Sequence, residues 1–185
     1  MEECKMSYAQ EHNVSVYLTE EQINKRVAEM GAEITERFKG ESLYLICILR
    51  GSVFFATELA KRIDLPTVID FMTVSSYGAQ TKSSGVINVK QDLEGSIEGE
   101  NVIVVEDIID SGNTLSRLLQ LFESRNPKTL TLCTLLDKPD RRVVDVKVDY
   151  TGFQIPDEFV VGYGLDYAQK YRNLPYIGVV ELDAE

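Results

Sequence analysis

Three carboxylates and a hydroxyl-rich turn crowd into one short stretch: Glu106, Asp107 and Asp110, then Ser111, Gly112, Asn113 and Thr114. Consecutive main-chain N–H groups in a tight turn ahead of a helix form a concave anion site, and the Ser111 and Thr114 hydroxyls add donors, so the turn suits one phosphate. Adjacent acids such as Glu106 and Asp107 are costly inside a protein unless donors or a cation meet them, and a ribose diol offers hydroxyl donors. Asp110 sits at the lip of the turn, where it can take a proton from a base bound above the sugar. A plainer alternative exists, because Asp110, Ser111 and Thr114 are all capping residue types, and from the turn alone the two readings stand about even. The paired acids tip the balance toward a sugar-phosphate site.

The elements that must position these groups flank them directly. Val102 to Val105 is an unbroken β-branched run, the pattern of a strand buried on both faces of a parallel sheet, so Glu106 and Asp107 fall at its end. Leu115, Leu118, Leu119 and Phe122 then recur at i, i+3, i+4 and i+7, which predicts a helix from about Thr114 to Glu123. The stretch Val102–Thr114 is therefore a strand, a turn and a helix N-terminus. Upstream, Thr19 with Gln22 fits a capping box, and Ile23, Val27, Met30, Ile34 and Phe38 predict a helix running up to Gly40. Leu43 to Leu49 predicts a strand stopping at Arg50-Gly51-Ser52, and Phe55, Leu59 and Ile63 a helix ending near Pro66. Thr67–Val74 and Val86–Lys90 read as strands joined by a long polar connection, and Leu130–Leu136 as a strand closed by Asp137-Lys138-Pro139. Val146–Tyr150, Phe159–Tyr163 and Tyr176–Glu181 look like short strands. Strands alternating with amphipathic helices imply an α/β fold with a central, mainly parallel sheet whose sites lie beyond the carboxyl ends of the strands.

Composition narrows the chemistry further. The chain has 185 residues, 44% hydrophobic and 26% charged, which suits one domain spanning residues 1–185. With 30 acidic against 19 basic residues the net charge is −11, so nucleic acid is not expected as a partner, and a bound polyanion needs local cations. Cys4, Cys47 and Cys133 form no ligand pair, and the last two lie in apolar runs as small buried hydrophobes, so neither disulfide nor zinc is expected. His12, the sole histidine, reads as a surface residue. No stretch approaches the ~20 apolar residues of a membrane span and the N-terminus has no apolar signal region, so no membrane association and a cytoplasmic location are expected. A nucleotide P-loop needs a lysine in the phosphate turn, which this turn lacks, so kinase and GTPase readings are discarded.

The run V-I-V-V-E-D-I-I-D-S-G-N-T closely resembles the phosphoribosyl diphosphate motif of the type I phosphoribosyltransferases. From about Ser15 onward the chain resembles the bacterial hypoxanthine-guanine members of that family. That resemblance implies the type I phosphoribosyltransferase fold, with a small hood contributed by N-terminal residues and roughly 139–185. It also implies a purine-salvage reaction that joins a phosphoribosyl group to a 6-oxopurine with Mg2+ as cofactor, in a homodimer or homotetramer. Within it Asp110 is the catalytic base, Glu106 and Asp107 hold the ribose, and Ser111, Gly112, Asn113 and Thr114 hold the 5-phosphate. Arg50 and Gly51 match the family's first loop, where the Leu49–Arg50 peptide is expected to be cis, and Ser76 and Tyr77 match its lid. With Arg172, all four are assigned to pyrophosphate.

Lys138 matches the lysine that reads the purine 6-oxo group. Phe159 would stack on the base, Val160 would bond it through its backbone, and Leu165 would cover its other face. Asp166, with Glu106 and Asp107, is assigned to magnesium. A divalent cation also follows from charge balance, since a multiply anionic donor must approach four acids in a chain already at −11. Two rivals are weighed: a xanthine-preferring enzyme of the same class, and a non-catalytic regulator with the same fold. The regulator lacks a spare helix-turn-helix segment or basic stripe to support it.

Overall fold

The structure is a computed structural model that describes residues 14–75 and 87–180. In chain order it contains β1 (Val14–Leu18), α1 (Glu20–Arg37), β2 (Leu43–Leu49), α2 (Val53–Ala60), β3 (Thr67–Ser75), β4 (Asn88–Gln91), β5 (Asn101–Ile109), α3 (Asn113–Glu123), β6 (Thr129–Asp137), a 3₁₀ turn at Pro139–Arg141, β7 (Tyr150–Gln154), β8 (Val160–Val161) and β9 (Ile177–Val180). Six strands form the main sheet in the order β4-β3-β2-β5-β6-β7. All neighbours are parallel except β4, which runs antiparallel to β3.

The apolar run explains why β5 is central. Ile103 and Val105 enter the core with α1 and α2, whereas Val102 and Val104 enter the opposite core with Leu115, Leu118 and Phe122 of α3. All four are fully buried, and each such side chain contributes roughly 1.5–3 kcal/mol of hydrophobic stabilisation. The helices follow their sequence signals. Thr19 and Gln22 form the reciprocal capping box at the start of α1, with Gln22 N donating to Thr19 Oγ1 at 3.2 Å and Thr19 N to Gln22 Oε1 at 2.8 Å. The chain leaves β2 toward β3 on one side and β5 toward β6 on the other, so the crevice beyond the ends of β2 and β5 is a topological switch point, where α/β sheets open a binding site.

A second, antiparallel sheet, β1-β9-β8, is built from the two ends of the described chain. The segment between β8 and β9 brings Leu165, Asp166 and Arg172 over the ends of the main strands, the hood expected from the resemblance.

Several boundaries differ from the sequence reading. β5 does not stop at Val105 but stays paired with β6 through Glu106↔Thr134 to Ile109↔Asp137, so both acids lie inside the strand. α2 ends at Ala60 because Arg62 N turns back to Leu59 O at 2.9 Å, and the resulting turn packs on Gly31 of α1, where a Cβ would meet Arg62 Cβ at 2.5 Å. The strand expected at Val146–Tyr150 begins only at Tyr150. Asp149 instead clamps Leu132, its N–H donating to Leu132 O at 3.0 Å and its Oδ2 accepting from Leu132 N at 3.1 Å. β1 was not anticipated at all.

Candidate active site

Two loops meet at the switch point. After β2 the Leu49–Arg50 peptide is cis, as the resemblance implied. Ser52, fully buried, donates from Oγ to Ile48 O at 2.6 Å and ties the loop down. After β5 the chain turns at Gly112, whose φ of +80° is a conformation that suits glycine, and enters α3. The N-cap residue is Gly112, which has no side chain to cap with. Of the three capping candidates, Ser111 meets the helix end, at its first N–H. Ser111 Oγ lies within the turn, accepting from Asn113 N at 3.4 Å and Asn113 Nδ2 at 3.1 Å. The turn is held from below, since Ser111 O accepts from Val143 N at 3.0 Å and Val144 N at 3.1 Å.

Above this turn opens a cavity of about 360 Å³ whose wall includes Arg50, Gly51, Glu106, Asp107, Asp110, Ser111, Gly112, Thr114, Asp166 and Arg172. Asn113 is not on this wall; it serves the turn through its bond to Ser111. A second cavity, about 580 Å³, is lined by Lys138, Phe159, Val160 and Leu165. Asp107, Ile108, Asp110 and Asp166 belong to both walls. Ser76, Tyr77, Cys4 and His12 lie outside the described residues.

Burial controls the two acids of β5. Glu106 Oε2 is buried with no hydrogen-bond partner, and burial, reinforced by the neighbouring Asp107 charge, pushes its carboxyl well above the usual range. Asp107 is pushed up to about 6, chiefly by burial, although Ile108 N donates to its Oδ1 at 2.8 Å and Arg172 favours its charge. Two such acids call for hydroxyl donors or a cation. Among the described residues no group of three or more His, Cys, Asp or Glu is close enough to hold a metal, so Glu106, Asp107 and Asp166 do not form a cage of their own. Asp166 is engaged instead by Arg172 Nη2 at 2.6 Å and by Gln169 N at 2.9 Å. Arg172 Nη1 also donates to Gly164 O at 2.7 Å. Tyr163, Ala168, Gln169 and Tyr171 all adopt positive φ around this loop, a concentration of uncommon backbone geometry of the kind that collects at binding sites.

At the second cavity Lys138 is largely buried, with Nζ donating to Glu158 O at 2.7 Å and 3.5 Å from Asp157 Oδ1. An ammonium has three donors, so capacity is left for a ligand acceptor. Phe159 is 41% exposed, unusual for a phenyl ring, and is braced edge-on by Tyr167 at 5.5 Å between centroids. Val160 and Leu165 are buried.

The model of the phosphoribosyl transferase domain family matches residues 13–168. The chain belongs to this family. Among its relatives, hypoxanthine phosphoribosyltransferase of Salmonella typhimurium is 51% identical over 173 residues, covering 92% of this chain and 97% of the relative. The hypoxanthine-guanine phosphoribosyltransferase of Bacillus subtilis is 51% identical over 166 residues, covering 90% and 92%. The crystal structure of a hypoxanthine phosphoribosyltransferase from Staphylococcus aureus matches with a TM-score of 0.90 at 46% identity, over 96% of this chain and 97% of that one.

Several groups at this phosphoribosyltransferase site escaped the sequence reading. Gly164 has φ of +102°, and a Cβ there would overlap Gly51 O, so it lets the hood touch the first loop. Arg50 Nη1 bonds Gln169 Oε1 at 3.1 Å across the same contact. Arg142, paired with Asp137, packs its Cδ beneath Gly112. Arg141 and Asp157 join the second cavity. The only sequence signal for the arginines is a basic pair following Lys138-Pro139-Asp140.

Proposed function

We propose that the chain transfers the 5-phosphoribosyl group of phosphoribosyl diphosphate to N9 of hypoxanthine or guanine, giving IMP or GMP and pyrophosphate in purine salvage. The observation that carries this reading is the pair of cavities joined at Asp107 and Asp110, one floored by the phosphate turn and the other walled by Lys138 and Phe159. The first accommodates the sugar donor: the turn Ser111–Thr114 holds its 5-phosphate, Glu106 and Asp107 its ribose hydroxyls, and Arg50, Gly51 and Arg172 its diphosphate. The second accommodates the base, with Lys138 donating to the 6-oxo group, Phe159 stacked on one face, Leu165 on the other, and Val160 bonding through its backbone. Transfer breaks the bond from sugar C1 to the pyrophosphate oxygen and forms the bond from C1 to N9, while Asp110 accepts the N7 proton.

Magnesium fits the residues present. Mg2+ is commonly held by one or two carboxylates plus substrate phosphates rather than by an all-protein cage, which agrees with a buried, unpartnered Glu106 Oε2 and with acids not clustered in threes among the described residues. Asp166, Glu106 and Asp107 would hold it, directly or through water, and when bound it would neutralise charge on the diphosphate. A single catalytic domain over residues 1–185, a homodimer or homotetramer and a cytoplasmic location complete the proposal, supported by family membership alone.

The test is nucleotide formation by the purified chain with Mg2+, phosphoribosyl diphosphate and each of hypoxanthine, guanine, xanthine and adenine. IMP or GMP should dominate. Faster turnover of xanthine or adenine would reject the base assignment, and no turnover with any base would reject the enzyme.

A further inference from the structure

Arg141, in the turn after β6, spans two acids at the rim of the base cavity. Its Nε forms an ion pair with Asp110 Oδ1 at 2.7 Å, and its Nη1 donates to Asp157 Oδ1 and Oδ2 at 3.2 and 3.1 Å. A guanidinium makes such a bridge in one rigid plane, which an ammonium cannot. The arginine is itself well mounted: Arg141 N donates to Lys138 O at 3.2 Å, Arg142 N to Pro139 O at 3.1 Å, and the neighbouring Arg142 side chain is paired with the buried Asp137. Asp110, by contrast, is half exposed and stands just beyond the last residue of β5, with nothing in the strand ladder to fix its side chain. The closest approach of Arg141 to this carboxylate is at Oδ1. Arg141 lines the base cavity and not the phosphate cavity.

We propose that Arg141 is a positioning residue that, braced by Asp157, orients the Asp110 carboxylate toward N7 of the bound purine. The inference rests on Asp110 being the base. A catalytic base oriented by a third group is a recurring arrangement, and small misplacements of a reacting group cost turnover steeply. Because half-exposed ion pairs add little to stability, Arg141→Ala should fold as the parent does.

The test is a double-mutant cycle in kcat with hypoxanthine, comparing Arg141→Ala, Asp110→Asn and the double variant. Arg141→Ala should lower kcat roughly 10- to 100-fold with KM for phosphoribosyl diphosphate unchanged, and should cost nothing further once Asp110 is Asn. An Arg141→Ala enzyme with parental kcat, beside an impaired Asp110→Asn, would overturn this inference alone. So would an equal loss on the Asp110→Asn background, which would make Arg141 independent of Asp110. Parental kcat in Asp110→Asn would overturn both this inference and the reading of the base.

Discussion

The backbone of Gly51 and the carboxyl of Asp107 fit together with no room for another atom: a Cβ on Gly51 would overlap Asp107 Oδ2. The first loop and the central strand thus reach the site as one packed unit. Gly164 closes the stack from the hood, since a Cβ there would overlap Gly51 O.

Gly51→Ala must therefore move either the loop or the acid. Overpacking of this kind typically costs about 1–3 kcal/mol. We expect a loss of stability in that range by urea unfolding, together with a large fall in turnover, because the displaced groups are those assigned to ribose and pyrophosphate. A variant with parental stability and kcat would show that the contact relaxes freely.

Asp110→Asn removes the proposed proton acceptor while keeping the shape of the side chain. Its kcat should fall roughly 10²–10⁴-fold, the usual contribution of a positioned base, with binding of the sugar donor retained. Isothermal titration with phosphoribosyl diphosphate and Mg2+, beside a turnover assay, separates the two effects. Equal losses in binding and turnover would assign Asp110 to the donor instead.

Lys138→Ala should raise KM for hypoxanthine and guanine by roughly 10- to 100-fold, the worth of a charge-assisted hydrogen bond, and leave KM for the donor near its parental value. Steady-state kinetics with each substrate varied in turn decides the matter. Parallel rises in both constants would rule out Lys138 as the base reader.

Stability should respond to pH through the acids of β5. Asp107 is held protonated up to about pH 6 by burial, and Glu106 is shifted the same way. An unfolded aspartate ionises near pH ~4, so over the interval between these values the folded chain binds more protons than the unfolded one. The contribution of Asp107 to stability therefore falls as pH rises from about 4 to about 6, and Glu106 acts in the same direction. Asp107→Asn removes the titration and relieves Glu106 as well. The variant should melt about 2–4 °C above the parent near neutral pH, with the gap closing toward about pH 4.5. Calorimetry across that range would show a constant gap if the acids were not the cause.

The sequence revealed the strand and helix that carry the site because their signals are local. The run Val102–Val105 and the spacing Leu115, Leu118, Phe122 each report burial by their own pattern, and the capping box at Thr19 is a three-residue relationship. What escaped depends on partners far along the chain. β1 pairs with β9, more than 150 residues away, and its short alternation of Val14, Val16 and Leu18 is a weak signal without that partner. Asp-Val-Lys-Val-Asp alternates as a strand should from Asp145, yet Asp149 spends its carboxylate on Leu132 N, and pairing starts one residue later. Arg141 and Asp157 come together only because the turn after β6 folds back over the loop before β8, and no spacing announces that. Glu106 and Asp107 read as costly neighbours, but their place inside β5 depends on pairing with Thr134 to Asp137 of β6, which no local pattern reports.

The shared wall between the two cavities has a consequence for altering base preference. Asp107, Ile108, Asp110 and Asp166 face both chambers, so reshaping any of them alters the boundary that the proposed donor and acceptor sites share. Phe159 and Lys138 face the proposed base chamber alone. Engineering toward a different nucleobase is therefore confined to one side of the site, the rim contributed by the end of β6 and the approach to β8, where the acceptor can be changed without disturbing the groups proposed to hold the sugar.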